Sequence, residues 1–179
     1  MPNNYPEILN SKKIYDGEKF SLQIKNLKNY KGEKYNKEII KHPGSVVILP
    51  ITQDNKIILI EQYRLAIGKT IIELPAGTIE KNEDHDLAAN RELREETGFR
   101  AKNIKLVHKM WVAPGYSSEC CYFYLAENLV PDPLPSDLGE DIIVLRKSIN
   151  DVKDMMISGE IEDQMTIASL LYFFYIKET

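Results

Sequence analysis

The sequence predicts an α+β fold: a small antiparallel β meander at the N-terminus, followed by a larger domain that mixes strands and helices. Three observations carry this. Short bursts of alternating polar and apolar residues run from Lys12 to about Lys41. Apolar runs rich in β-branched residues follow, at Ser45–Ile51 and Ile57–Tyr63. Beyond them, segments with helical spacing end at Gly98 and Gly159, the residue type that most often stops a helix. With 179 residues and 43% hydrophobic content, the chain can build one real core and a small appendage.

The meander is read from Phe20–Ile24 and Tyr35–Ile40, with Asn29-Tyr30-Lys31-Gly32-Glu33 as the turn between them. Lys41-His42-Pro43-Gly44 marks a boundary, which divides the chain into residues 1–43 and 44–179. Ser45–Ile51 reads as a buried strand. With Gln53-Asp54-Asn55-Lys56 as a turn, it forms an expected hairpin with Ile57–Tyr63. Thr70–Pro75 is extended. A helix is expected from an N-cap at Asn82 or Asp84 to Thr97-Gly98. Strands follow near Ile104–Met110, Cys120–Ala126 and Ile142–Leu145. Two helices close the chain, at about Ile149–Ile157 and Gln164–Ile176. In the last helix Ile167, Leu170, Leu171, Phe174 and Tyr175 recur at helical spacing and are expected to pack in the core.

Composition excludes some functions. A net charge of -4 and a pI near 5.5 argue against bulk nucleic-acid binding, which needs a basic surface. A small phosphorylated ligand is compatible, since it requires only a few cations or a metal. No stretch approaches the roughly 18 to 20 apolar residues of a membrane span, and the first residues lack the layout of a signal peptide. Cys120 and Cys121 are adjacent, so on a strand they point to opposite faces and read as reduced thiols. These features predict a cytoplasmic protein without nucleic-acid or membrane partners.

The chemistry is concentrated in Arg91-Glu92-Leu93-Arg94-Glu95-Glu96-Thr97-Gly98. On a helix Glu92, Glu95 and Glu96 share one face. Like charges at that spacing weaken a helix slightly, and a hard divalent cation among them reverses the sign. Upstream, Gly77 and Glu83 stand at fixed distances. The whole stretch from Gly77 to Phe99 resembles the Nudix box, Gly-x5-Glu-x7-Arg-Glu-U-x-Glu-Glu-x-Gly-U, in which U is a large apolar residue. Phe99 is aromatic where an aliphatic residue is commoner. Seven fixed residue types coincide by chance with a probability on the order of 10⁻⁸ per starting position.

Outside the box, three segments resemble the ADP-ribose pyrophosphatase branch of that family. They are His42–Pro50, Glu61-Gln62-Tyr63-Arg64 and Glu73-Leu74-Pro75-Ala76-Gly77. Pro114, sixteen residues beyond Gly98, and Gly159–Asp163 fit the same branch.

The resemblance implies a Nudix fold, with a mixed β-sheet between α-helices, and a magnesium-dependent hydrolysis of a nucleoside diphosphate derivative. ADP-ribose, split to AMP and ribose 5-phosphate, is the favoured substrate. GDP-mannose, ADP-glucose, NADH and dinucleotides are alternatives, and an ADP-ribose-sensing module without catalysis is a further one. Mg²⁺ is implied as cofactor, with Mn²⁺ as a substitute.

The implied metal ligands are Glu92, Glu96 and the carbonyl of Ala76, with Glu95 beside them as a catalytic carboxylate. Gly77 is expected to let the backbone turn, Arg91 to pair with Glu83, and Leu93 to face the core. His85 is read as an exposed helix residue. Arg64 is expected on the substrate's phosphate or terminal ribose. Glu119 would bind that ribose or orient Arg64, and Glu73 would touch the base or a dimer partner. Glu140 is the expected base or water-orienting acid, with Asp137 and Asp141 as alternatives. The resemblance also implies a homodimer in which the meander packs on the partner and covers the substrate.

Overall fold

The computed structural model describes residues 5–136, 139 and 141–177. It contains two compact units: the residues up to Gly44 with Trp111–Cys120, and Ser45–Met110 with the chain from Cys121 onward.

In the first unit, β1 (Glu7–Asp16), β2 (Ser21–Lys28) and β3 (Lys34–Lys41) form an antiparallel sheet in that order. Leu22 faces Ile40 and Leu27 faces Tyr35. The β2–β3 turn is set by Asn29, whose side-chain oxygen accepts from the amides of Lys31 and Glu33. Gly32 supplies the left-handed position there, at φ 84°. The turn and the β2–β3 pair agree with the alternation in the sequence. β1 does not: its run Asn10-Ser11-Lys12-Lys13 has no apolar period. It is exposed along its whole length and held by backbone pairing to β2, with irregularities near Ile8/Asn10 and Lys13/Tyr15.

The second unit begins with β4 (Ser45–Pro50), β5 (Lys56–Arg64), β6 (Lys69–Glu73) and β7 (Ala76–Thr78). It continues through α1 (His85–Thr97), β8 (Phe99–Trp111) and β9 (Cys120–Pro131), whose end residues Trp111 and Cys120 count with the first unit, then β10 (Ile142–Ser148), and ends with α2 (Ile149–Ser158) and α3 (Gln164–Lys177). One sheet has the order β7-β4-β9-β8 and the other β10-β5-β6. The first is mixed, since β4 runs parallel to β9 and antiparallel to β7.

The expected hairpin between Ser45–Ile51 and Ile57–Tyr63 is not formed. The two runs belong to different sheets and touch through one isolated bridge, Ile51–Ile57. The reason is burial. Every residue of β4 is buried, and its backbone finds partners on both sides in β7 and β9.

Side-chain alternation places helices on both faces of the mixed sheet. Val46, Ile48, Tyr124 and Ala126 form a core with Ala88, Ala89 and Leu93 of α1. On the opposite face Ser45 meets Met165, and Phe123 meets the ring of Tyr172 edge-on at 6.3 Å, both partners belonging to α3.

α3 buries Thr166, Ser169, Leu170 and Phe173, while Leu171 and Tyr175 are exposed, contrary to the expected stripe. The helix is apolar on nearly all sides, so hydrophobic spacing does not select its inner face. A polar need contributes to the choice: the buried Leu74 amide donates to Thr166 Oγ1 at 2.9 Å.

Candidate active site

The site is built on α1. Asp84 is its N-cap, with a side-chain oxygen accepting from the Asp86 amide, and Gly98 ends it at φ 76°. Between these ends Leu93 faces the core with no exposed surface, while Glu92 and Glu96 are only 8% and 5% exposed. Burying carboxylates is costly unless hydrogen bonds or cations meet them, and both act here. The Ala76 amide donates to Glu96 Oε2 at 2.8 Å. Arg91 Nη1 donates to Glu92 Oε1 at 2.8 Å and to Glu95 Oε2 at 2.9 Å.

Arg91 also forms a two-pronged pair with Glu83, Nε to Oε1 and Nη2 to Oε2, each 2.9 Å, and donates to the Thr78 carbonyl at 3.1 Å. The loop before α1 is thereby tied to the helix and to β7. Arg91 holds the Glu83 carboxyl below its ordinary range, and Glu83 foremost raises the guanidinium above its own.

Gly77 does not make the tight turn expected of it. It lies in β7, paired with Val46 of β4. Its lack of a side chain serves a close approach instead: a Cβ there would lie 1.9 Å from Glu92 Oε1. The residues present suit a hard divalent cation in charge and donor type, although the group whose ligand atoms already lie within 4.8 Å of one another, among the described residues, is Asp84, His85 and Asp86 at the start of α1. Arg91 brings one positive charge to Glu83, Glu92 and Glu95, and Glu96 adds a further carboxylate one turn from Glu92. Oxygen donors with excess negative charge are what a hard divalent cation takes.

Of the remaining candidates, Arg64 ends β5 and Glu73 ends β6. Arg64 Nε donates to Glu73 Oε2 at 2.8 Å. Glu73 is buried, which raises its carboxyl above the usual range, and Arg64 opposes that shift. These two residues belong to the second unit. Pro114 and Glu119 belong to the first. There the Ala113 carbonyl accepts from the amides of Tyr116 and Ser117, and Ser117 Oγ accepts from the Glu119 amide. Glu140 and Asp137 lie outside the described residues, whereas Asp141 is exposed just before β10.

The profile of the NUDIX domain matches residues 41–159. The chain belongs to the Nudix family. It is 34% identical over 161 residues to a Bacillus subtilis (strain 168) protein named ADP-ribose pyrophosphatase, covering 89% of this chain and 87% of that one. It is 31% identical over 166 residues to a Bacillus methanolicus protein named methanol dehydrogenase activator, covering 92% and 90%. A crystal structure of an ADP compounds hydrolase superposes with a TM-score of 0.85 at 25% identity, over 97% of this chain and 94% of that one.

Sequence reasoning overlooked one group in this Nudix chain. His85 is not an exposed residue but half-buried, stacked on Tyr122 with ring centroids 4.2 Å apart. Its Nδ1 meets the Tyr124 hydroxyl, which donates to Asp86. The available signal was weak, a tyrosine alternating with apolar neighbours on a strand far away in sequence.

Proposed function

We propose that this Nudix pyrophosphohydrolase splits the pyrophosphate of ADP-ribose into AMP and ribose 5-phosphate, with Mg²⁺ as its cofactor and Mn²⁺ as a substitute. The observation that carries this reading is the buried carboxylate group on α1, with Glu92 against Gly77 and Glu96 on the Ala76 amide. The names of the relatives direct it towards an ADP compound.

Glu92, Glu96 and the Ala76 carbonyl would hold the ion. Magnesium, when bound, supplies Lewis-acid neutralisation of the pyrophosphate charge. The chain's own residues do the rest. Arg91 and Glu83 keep the loop and helix in register, so the carboxylates need not reorganise when substrate arrives. Glu95 is held in place by its bond from Arg91 Nη1 within the same group. Arg64, aimed by Glu73, offers a guanidinium fork to a phosphate oxygen or the terminal ribose. Glu119 contributes to ribose binding. Glu140 orients or deprotonates the attacking water, and in-line attack on one phosphorus releases the two monophosphates.

The protein is proposed to act as a cytoplasmic homodimer. Residues 1–43 would be the dimerising, substrate-covering part, ahead of a hydrolase domain over 44–179. Ile8, Ile14 and Tyr15 on β1 and Phe20 just before β2 are exposed apolar side chains that a second copy would cover. Among the described residues no helix is long and apolar enough to cross a membrane.

The decisive test is turnover of a panel comprising ADP-ribose, ADP-glucose, GDP-mannose, NADH and diadenosine polyphosphates with Mg²⁺. ADP-ribose should have the highest kcat/KM, and no turnover of any member would sink the reading. Glu96→Gln should abolish turnover while the protein stays folded; normal activity in that variant would remove the metal site from α1.

A further inference from the structure

Two structural contacts set where the α1 carboxylates sit, and both leave little freedom. Glu92 fills the space beside Gly77, and Glu96 meets the Ala76 amide at 2.8 Å. A small slide or rotation of α1 against β7 would break both. Something must therefore fix the register of the helix, and at its C-terminal end the Arg94 side chain donates to the Asp132 carbonyl at 3.1 Å. At its N-terminal end there is a second tie.

That tie is built from β9. Tyr124 is fully buried, and its ring belongs to the core shared with Ala88, Ala89 and Leu93. Its hydroxyl reaches the first turn of α1, where it donates to Asp86 and meets His85 Nδ1. A phenol has one proton, so once it goes to Asp86 the His85 Nδ1–H must be the donor to the phenol oxygen. Burial and the Asp86 carboxylate push the Tyr124 hydroxyl above its ordinary range, so it remains a donor at neutral pH. His85 is held from its other side by the stacked Tyr122 ring, over which Lys109 Nζ lies 5.5 Å from the centroid. Asp84 lies 3.9 Å from the same Nδ1.

We infer that Tyr124 is a positioning residue for the metal helix: through Asp86 and His85 it locks the first turn of α1 to β9, which sets Glu92 against Gly77 and Glu96 on Ala76. Glu92 is seven residues beyond His85, about two helical turns or roughly 10 Å away, and the intervening turn is packed rigidly by Ala88 and Ala89. The inference rests on the reading of α1 as the metal helix, and adds to it a residue outside the box.

The test is Mn²⁺ binding, measured by electron paramagnetic resonance of the free ion, for the full-length wild type and for Tyr124→Phe, Asp86→Ala and Asp86→Asn. Melting of the metal-free proteins and kcat and KM for ADP-ribose are recorded alongside. Tyr124→Phe keeps the ring in the core and removes only the hydroxyl. Asp86 is exposed, so its variants fold even if Tyr124→Phe does not. Mn²⁺ affinity should fall about fivefold in Tyr124→Phe and Asp86→Ala, with kcat lowered at fixed metal and KM unchanged. Asp86→Asn, which still accepts from the phenol, should stay within about twofold of wild type. Equal Mn²⁺ affinity in wild type and Asp86→Ala would overturn the inference, as would an equal loss in Asp86→Asn and Asp86→Ala, since charge at the helix start, or binding of the ion by Asp86 itself beside Asp84 and His85, would then be the cause. A wild type that binds no Mn²⁺ would instead overturn the metal reading itself, and the inference with it.

Discussion

The Glu92 carboxylate occupies the volume that a side chain at Gly77 would need, with Oε1 only 1.9 Å from the ideal Cβ position. Gly77 lies in an extended strand, so alanine is compatible with its backbone. Gly77→Ala should therefore fold, and the cost should fall on the flexible Glu92 side chain, which must swing away. The expected result is a loss of about 100-fold in kcat/KM with a modest fall in melting temperature, since the displaced Glu92 gives up its bond from Arg91. Circular dichroism with steady-state kinetics checks both halves. A variant that keeps full activity would mean Glu92 works from another position.

The Glu83–Arg91 pair should appear as an acid-sensitive part of the stability. Both side chains are mostly buried, at 14% and 20% exposed, so solvent screens the pair only partly. Glu83→Gln should cost about 1–3 kcal/mol at pH 7. The Glu83 carboxyl is held below its ordinary value in the folded chain, by Arg91 first. Its contribution is thus complete above the ordinary glutamate range and disappears as pH falls through the folded value. Urea unfolding of wild type and variant from pH 7 to pH 3 should show two curves that run parallel near neutrality and converge in acid.

Helix ends were the most legible part of this chain. The signals are local: Asp84 caps α1 through its own second neighbour, and Gly98 and Gly159 adopt the left-handed conformation next to the residues they stop. Features that depend on distant partners were not legible. The sequence around Ser45–Ile51 and Ile57–Tyr63 suits a hairpin, but β9, some 75 residues away, takes the place beside β4. α3 hides its inner face because apolar residues surround it. In the site, residue types at box spacing were enough to pick out Arg91 with Glu83. The purpose of Gly77 required knowing where the Glu92 carboxylate goes, and the part played by Tyr124 required knowing that β9 passes beneath α1.

Glu73 should respond to pH in the opposite sense to Glu83. Its burial raises the folded-state value, against the pull of Arg64. Stability tied to a raised carboxyl is full below the ordinary glutamate value and is lost as pH rises through the folded one. Glu73→Gln removes that loss, so the variant should gain on wild type between pH 4 and pH 7 in thermal melts. Function should move the other way. Without its anionic anchor Arg64 is less well aimed, and KM for ADP-ribose should rise about 10-fold with kcat little changed. A variant with unaltered KM would place Arg64 outside substrate binding.

Metal should stabilise the folded chain through the same carboxylates that strain it without metal. Glu92, Glu95 and Glu96 are like charges at adjacent helix positions, which is mildly unfavourable alone. An ion bound only by the folded state adds about 2.7 kcal/mol at a concentration 100 times its dissociation constant. For a domain of this size that corresponds to a rise of roughly 5–10 °C in melting temperature. Glu96→Gln relieves repulsion and its side-chain oxygen still accepts from the Ala76 amide, so the metal-free variant should melt at or above the wild-type temperature. On adding Mg²⁺ or Mn²⁺ it should gain almost nothing. Calorimetry with and without a chelator separates these effects. A wild-type rise that persists in Glu96→Gln would place the bound ion elsewhere on the molecule.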